Sequence, residues 1–110
     1  MNFNVIEAAL LTVGVPVSHY TASKKDDKYI VWAEDGQAGS EYADDEMQEQ
    51  VIQGTVDYFT RIKDDPNIIK IQKALNGICS WRLSSMQYED DTRLYHYEWV
   101  FEIETTPGGD

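Results

Sequence analysis

The chain has 110 residues, about the commonest length of one domain, and its 42% hydrophobic residues are enough for one core, which excludes disorder throughout. Nine basic residues face 20 acidic ones, and the formal net charge of -11 disfavours nucleic acid as a ligand because phosphate contacts need Lys and Arg. The single Cys79 excludes an internal disulfide and a Cys-based metal cluster. We expect neither a signal peptide nor a membrane-spanning segment.

The first part of the chain predicts a short helix followed by an extended segment. Asn2 or Asn4 is suited to cap the helix, and Gly14 is suited to end it. The apolar residues that recur at spacings of three and four, and so share one face, are Phe3, Ile6, Leu10 and Val13. Residues 15–20 are predicted to be extended, and a short edge strand is open to them because Pro16 cannot donate a ladder hydrogen bond.

Two strands on either side of a long acidic loop are predicted next. Residues 29–33 are β-branched and aromatic, as is typical of a strand. A loop rich in Gly and acidic residues then runs from Asp35 to about Asp45. The second strand extends from Gln48 to Thr60, and the residues on one side of it are Ile52, Gly54, Val56 and Tyr58.

The second half of the chain predicts a helix and two more strands. Asp65 is suited to cap the helix, and Pro66 occupies its first position, where a missing N–H costs nothing. The helix continues to Leu75, a strand covers residues 79–88, and a turn follows. The final strand, residues 94–104, has the clearest alternation, and its apolar side consists of Tyr95, Tyr97, Trp99, Phe101 and Ile103.

This order of elements predicts the fold class. An α-β-β-α-β-β chain favours an α+β fold in which two helices pack on one face of a mainly antiparallel four-stranded sheet. We expect a single domain over residues 1–104. Residues 105–110, which include Pro107 and two glycines, are expected to form a flexible C-terminal tail.

The side chains with catalytic or metal-binding potential do not form a known constellation. His19 and His96 are the only histidines and stand in no ligand-spaced motif, so a structural or surface role is expected for both. Cys79 is expected to be buried as a small hydrophobic residue, and the paired acids lack the spacing of a calcium loop. We therefore predict no catalytic residue, no metal site and no cofactor, and hence a protein that is not an enzyme.

The uneven distribution of charge suggests a protein interface. No base occurs between Lys28 and Arg61, although this stretch is rich in acids. A long loop in a small domain is usually functional, and aromatic residues are enriched in interfaces, so Trp32 and Tyr42 are either interface or core residues. The candidate interface consists of Trp32, Glu34, Asp35, Glu41, Tyr42, Asp44, Asp45 and Glu46.

Several motifs along the chain give it a family resemblance. In chain order they are Gly14-Val-Pro-Val17, Lys28-Tyr-Ile-Val-Trp-Ala-Glu34, Glu41-Tyr-Ala-Asp-Asp45, Val56-Asp-Tyr-Phe-Thr60, the helix from Ile68 to Leu75, Trp81, and Tyr97-Glu-Trp-Val-Phe-Glu-Ile103. On these motifs the chain resembles the small tail-completion proteins of long-tailed bacteriophages and prophages of Gram-positive bacteria. These proteins are also called minor tail or head–tail joining proteins.

The resemblance implies a fold similar to lambda-type tail terminators and a structural role in virion assembly. It implies a homo-oligomeric ring, typically a hexamer, at the head-proximal end of the tail, where the ring stops growth of the tail tube. The implied partners are further copies of the chain, tail-tube protein and head-connector protein. The implied location is the virion, with assembly in the bacterial host cytoplasm. No cofactor, membrane or specific nucleic-acid binding is implied, and a negative protein suits a channel through which DNA slides.

A small acidic inhibitor, such as a DNA mimic encoded by a mobile element, is the alternative. Glu98, Glu102 and Glu104 lie on one face of the last predicted strand. This row is either the acidic surface of a mimic or an ordinary solvated sheet face. A mimic is expected to be a monomer or dimer that binds a basic protein with strong salt dependence.

Overall fold

The fold is a five-stranded mixed sheet with two helices, as seen in a computed structural model that describes residues 4–22, 27–37 and 50–105. In chain order, its elements are α1 (Asn4–Leu11), β1 (Val17–His19), β2 (Lys28–Gln37), β3 (Gln50–Thr60), α2 (Asn67–Leu75), β4 (Ser80–Glu89) and β5 (Leu94–Thr105). The strands lie in the order β1-β2-β3-β5-β4. The β1–β2 pair is parallel, and the other neighbouring pairs are antiparallel.

The predicted four-stranded sheet with the order α-β-β-α-β-β is wrong, because β1 forms a fifth strand at the sheet edge. This strand pairs in parallel with Ile30–Trp32 of β2. Parallel neighbours usually need a connection of a dozen residues or more, whereas here residues 20–27 join β1 to β2. The short connection is long enough because a three-residue strand is only about 10 Å long, and the chain has to cover only about that distance between the end of β1 and the start of β2. Pro16 precedes the strand, and its carbonyl oxygen accepts the Ile30 N–H.

The core lies between the sheet and the two helices, on what we call the covered face. The fully buried apolar and aromatic residues of the two central strands are Val56, Tyr58, Trp99 and Phe101. The helix residues buried against them are Ile6, Leu10, Ile71 and Leu75. All of these side chains belong to one apolar cluster, which places both helices on the same face of the sheet. The predicted alternation of β3 and β5 is therefore confirmed.

Three tryptophans connect the covered face to the helices. Each indole N–H donates a hydrogen bond to a side chain at a helix: Trp32 to Glu7 of α1, Trp99 to Gln72 of α2, and Trp81 to Asn76 directly after α2. A Trp can be buried at low cost when its N–H has an acceptor. These bonds therefore fix the position of each helix over particular strands while the rings fill the core.

The predicted start of α2 is confirmed. Oδ1 of Asp65 accepts the Asn67 N–H at 2.9 Å, as expected of a capping residue. Pro66 has helical dihedral angles, with φ -62° and ψ -17°, although the regular helix begins one residue later. Asp65 is also buried, so its carboxylate must find partners beyond this one backbone group.

Those partners come from β3. Oδ2 of Asp65 accepts hydrogen bonds from the Tyr58 hydroxyl at 2.8 Å and from the Thr60 hydroxyl at 2.7 Å. Burial by itself raises the pKa of Asp65, but the hydrogen bonds from Thr60, Asn67 and Tyr58 and the charge of Lys28 outweigh it, so the pKa is lowered. The ionised carboxylate thus connects the end of β3 to the start of α2.

The acidic loop predicted from Asp35 begins later in the structure, because β2 continues to Gln37. The pairing of β2 with β3 shifts between Glu34 and Gly36, which leaves Asp35 without a partner residue in β3. A polar residue is tolerated at such a bulge because its side chain is exposed. The remainder of the predicted loop, residues 38–49, lies outside the described residues, as do Phe3 and residues 106–110.

Candidate functional site

The face of the sheet opposite the helices, which we call the open face, carries an ion triad centred on His96 of β5. Its Nε2 lies 2.7 Å from Oδ1 of Asp57 in β3. Its Nδ1 lies 3.2 Å from Oε2 of Glu89 in β4, within ion-pair distance but without the geometry of a hydrogen bond. The side chains of His96 and Asp57 are 17% and 20% exposed. One imidazole therefore contacts carboxylates from both neighbouring strands.

The electrostatics of this triad favour a charged histidine. The hydrogen bond to Asp57 raises the pKa of His96, and the charges of Asp57 and Glu89 act in the same direction, against the lowering effect of burial. Both ring nitrogens face carboxylates, so neither is available to take a proton from a substrate. The triad is suited to hold three strands together and is poorly suited to general-base catalysis.

Aromatic rings extend the triad across the open face. The Phe59 ring stacks on the rings of Tyr29 and His96, with centroids 4.7 Å and 4.2 Å apart. An open cleft of about 660 Å³ adjoins these rings and is also lined by Tyr20 and Glu89. Aromatic faces next to carboxylates suit a cationic group. When protonated, His96 supplies such a charge to both carboxylates and so partly neutralises the cleft from within.

The other histidine belongs to a cluster at the β1 edge. Oε1 of Glu34 lies 2.9 Å from Nε2 of His19 and accepts a hydrogen bond from the Tyr20 hydroxyl at 2.6 Å. This hydrogen bond is the main reason why the pKa of Tyr20 is raised. The His19 ring also stacks on Trp32, with centroids 4.0 Å apart. The cluster therefore attaches β1 to β2 through side chains as well as through backbone pairing.

The predicted interface residues in β2 have three different environments. Trp32 is buried in the core, Glu34 is half-buried in the His19 cluster, and Asp35 is exposed at the bulge. The structure therefore brings Glu34 and Asp35 to the same end of β2 and directs Trp32 towards α1. The remaining predicted interface residues, Glu41, Tyr42, Asp44, Asp45 and Glu46, lie outside the described residues.

Cys79 follows α2 and is half-buried. Its Sγ lies 3.6 Å from the carbonyl oxygen of Leu75. Burial raises the pKa of Cys79 to about 11, so the side chain stays a protonated thiol at neutral pH. Because the thiolate is the nucleophilic form, this environment is that of a packing residue and does not activate the sulfur.

Sequence reasoning missed the unusual charge of α2 and β4. Residues 66–88 contain Lys70, Lys73 and Arg82 but no acid, whereas the rest of the chain holds all 20 acidic residues. The three bases are exposed, and none has an ion-pair partner within the described residues. Because the chain is so rich in acids, the absence of any acid from a run of this length could have been noticed from the sequence as an unusual distribution of charge.

Large apolar side chains are exposed at the same edge of the sheet. Met86 of β4 is 67% exposed, Ile69 of α2 is 52% exposed, and Tyr88 of β4 is 49% exposed. A groove of about 330 Å³ between the two elements is lined by Ile69, Leu83 and Met86, and also by Asp64 and Asp65. Arg82 lies opposite Val100 of β5, which places it on the open face and not at this groove.

Within the described part of the chain, no group of three or more His, Cys, Asp or Glu side chains is arranged to hold a metal ion. No helix among the described residues is long and apolar enough to cross a membrane. No protein-family model and no curated protein sequence matches the chain. Inference about function therefore depends on the charge and exposure of the surfaces described above.

Proposed function

We propose that the chain is a structural virion protein of a phage or prophage. In this proposal it is a ring subunit at the head-proximal end of the tail, acts in tail completion or head–tail joining, and has no catalytic activity. The resemblance in the motifs from Gly14 to Ile103 supports the proposal, as does a net charge of -11, which suits a DNA passage. Its partners are then other copies of itself, tail-tube protein and head-connector protein.

The observation that carries the proposal is the separation of acidic and basic residues along the chain. Residues 29–60, which include β2 and β3, contain acids and no base, whereas residues 66–88 contain bases and no acid. β4 is one edge of the sheet, and β2 lies next to the other edge. The basic stretch of one copy can therefore meet the acidic stretch of the next. Such a head-to-tail contact uses two different surfaces, as a closed cyclic ring requires.

The chemistry of the described residues also supports a role without catalysis. Both nitrogens of His96 face carboxylates, and Cys79 remains a protonated thiol. Asp65 has its oxygens occupied by Tyr58, Thr60 and Asn67, so its lowered pKa reflects a structural network. The shifted pKa values of these groups are therefore explained by burial and by structural hydrogen bonds and do not require a catalytic role.

Negative-stain imaging with mass determination tests the proposal. The purified protein is examined alone and after addition of tail-tube protein encoded in the same gene neighbourhood. We expect discrete rings, or tubes capped at one end. A protein that is monomeric by itself can still cap tubes, because the end of the tube serves as the template for the ring. An unrelated acidic protein of similar size is the control for adhesion by charge alone. A protein that stays monomeric and leaves tube ends bare contradicts the proposal.

A small acidic inhibitor or DNA mimic remains the second candidate, and one observation favours it. Glu98, Glu102 and Glu104 lie on the open face of β5, and Glu98 is directly opposite Asp57 of β3. Like charges opposite one another are unfavourable, so such a row suggests a surface selected for negative charge. If a monomer ignores tube protein but binds basic DNA-binding proteins in a salt-sensitive way, this second function is favoured.

A further inference from the structure

We propose that β4 pairs antiparallel with β4 of a second copy of this chain, in a two-fold contact centred on Met86. β4 has ten residues, and among the described strands it has a neighbour on one side only. The backbone N–H and C=O groups on its outer side are therefore open to another strand. This contact goes beyond the proposed ring function and does not rest on it, because a two-fold contact closes after two copies.

The two edges of the sheet differ in how they expose their backbone groups. β1, at the other edge, has only three residues, and Pro16 precedes it. Short strands and prolines are common means of preventing pairing at an edge. β4 contains neither a proline nor a lysine, and its Met86 and Tyr88 side chains are exposed. A long edge strand with exposed apolar side chains is suited to pair with another chain.

A β-bulge determines which side chains of β4 share a face. The pairing of β4 with β5 shifts between Leu83 and Ser85, so Ser84 is the extra residue. Leu83 and Met86 both line the groove beside α2, which places them together on the covered face. Alternation places Tyr88 on this face as well. A second strand that pairs with β4 must also skip Ser84, because residues directly opposite one another share a face.

Antiparallel pairing of two β4 strands about Met86 gives a self-complementary register. Counted outward from Met86, with Ser84 skipped, the residues at equal distances on the two sides are both polar, then both apolar, then oppositely charged. In that order the pairs are Ser85 with Gln87, Leu83 with Tyr88, and Arg82 with Glu89. In a two-fold antiparallel contact, each residue lies opposite its counterpart in the second copy. Each half of the strand therefore complements the other half, which identifies the occupant as a second copy of this chain.

The charged pair of this register lies on the open face. Arg82 is exposed and lies opposite Val100 of β5. The Glu89 side chain is 34% exposed, and its carboxylate contacts Nδ1 of His96 on the same face. Opposite charges directly across two strands stabilise their pairing, whereas like charges oppose it. The register thus places a base against an acid, which reduces the repulsion between two copies that each carry a net charge of -11.

The apolar pairs lie on the covered face, beside the groove between α2 and β4. Met86 lies opposite Met86 of the second copy, and Tyr88 of the second copy lies opposite Leu83, which lines the groove. The polar residues of the lining include Asp64 and Asp65, and a tyrosine hydroxyl is compatible with carboxylates because it can donate a hydrogen bond. Burial of these exposed apolar side chains supplies the driving force for association.

Charge reversal tests the register. We expect the wild-type protein to form a dimer that dissociates on dilution, because the contact is small. Arg82→Glu and Glu89→Arg each place like charges opposite one another, so we expect either variant to raise the dissociation constant of the dimer roughly tenfold. The double variant restores opposite charges at both ends of the contact, and its dissociation constant should return to within roughly threefold of wild type. Sedimentation equilibrium across a concentration series measures these constants.

Matched controls separate this contact from the effect of total charge. Lys63→Glu changes the net charge as Arg82→Glu does, and Glu104→Arg changes it as Glu89→Arg does. Both control positions are exposed and lie outside β4, and Glu104 pairs with Val51 of β3. We expect both controls to dimerise like the wild-type protein, and thermal melting verifies that every variant is folded.

A cross-link at the two-fold axis tests the contact without changing any charge. Met86→Cys places two thiols directly opposite one another, and the Cα atoms of such a pair are about 4.5–5.5 Å apart, within reach of a disulfide. Gln87→Cys is the matched control, because its two copies are diagonal neighbours about 7–8 Å apart. The wild-type chain controls for the native Cys79. Under mild oxidation we expect a covalent dimer for Met86→Cys alone, as measured on non-reducing gels.

Three results overturn the inference. The first is a protein that remains monomeric and forms no cross-link through Met86→Cys. The second is association that neither charge reversal weakens, because the contact then involves another surface. The third is a double variant that is folded and does not recover, because the register is then different. If Glu89→Arg fails to fold, the cross-link decides alone. Tube capping tests the ring function separately, so a monomeric protein that caps tubes overturns the β4 contact and leaves the ring function intact.

Discussion

The covered and open faces of the sheet accommodate polar residues in different ways. At the covered face, the buried Asp65 receives hydrogen bonds from two hydroxyls of β3 and one backbone N–H of α2. On the open face, His96 and Asp57 remain partly exposed, and Nδ1 of His96 has an ion-pair partner without a hydrogen bond. A carboxylate can be buried only with complete hydrogen bonding, whereas access to water relaxes that demand. Stability should therefore respond more strongly to changes on the covered face.

The largest effect is expected for Gly54→Ala at the covered face. A Cβ at this position would lie 2.5 Å from Cζ of the buried Phe101 and would also collide with the carbonyl oxygen of Ala33 in the neighbouring strand. Because that oxygen belongs to the backbone, the strands must separate, and we expect a loss of about 3 kcal/mol in the free energy of unfolding. Urea denaturation measures this loss.

The neighbouring open-face residue offers the control for this change. Thr55→Ala alters a half-exposed side chain of the same strand, and we expect less than about 1 kcal/mol of change. Equal effects of Gly54→Ala and Thr55→Ala would contradict the contrast between the two faces.

The next largest effect is expected for Asp65→Asn. The amide keeps the shape but removes the charge and one acceptor, so buried donors from Tyr58 and Thr60 lose their partner, at a cost of about 2 kcal/mol. Because the pKa of Asp65 is lowered in the folded protein, this stabilisation is present above its unfolded pKa and is lost as pH falls through the folded value. Asp64→Asn is the matched exposed control. Urea midpoints that shift equally for the two variants would remove the proposed role of the Asp65 network.

The smallest effect is expected on the open face, for His96→Gln. Because the pKa of His96 is raised, its stabilisation is fully present below the unfolded pKa of about 6.5 and is lost as pH rises through the folded value. We expect wild type to exceed the variant by about 1 kcal/mol near pH 6 and by less near pH 9. Asp57→Asn should flatten the same pH dependence, since it removes the closest partner. A stability difference between wild type and His96→Gln that does not change with pH would show that the imidazolium contributes nothing.

The elements of this fold were largely predictable because their signals are local. The alternation from Tyr95 to Ile103 predicted β5 and its buried side, and Asp65 with Pro66 predicted the start of α2. Each signal depends on residues a few positions apart, so a short window of sequence contains it. The bulge at Asp35 was missed because an exposed polar residue with a glycine after it resembles the start of a loop.

Residues of the candidate surfaces were predictable only in part. Acidic residues were identified by composition, whereas the acid-free stretch that holds Lys70, Lys73 and Arg82 was overlooked because these residues are unremarkable one by one. Only the structure shows that Arg82 lies on the open face of an edge strand. Trp32 is the converse case. Its sequence context is compatible with either an interface residue or a core residue, and only the packing of α1 shows that it lies in the core.

By itself, the sequence determined the helices and the four longer strands, the apolar side of β3 and β5, and the concentration of acids between Lys28 and Arg61. Only the tertiary structure decided the strand order, the fifth strand at the edge and the triad of His96, which joins residues 39 positions apart. The physical reason is that side-chain periodicity follows from local backbone geometry. Strand pairing, in contrast, depends on the register between distant segments, which no short stretch of sequence contains.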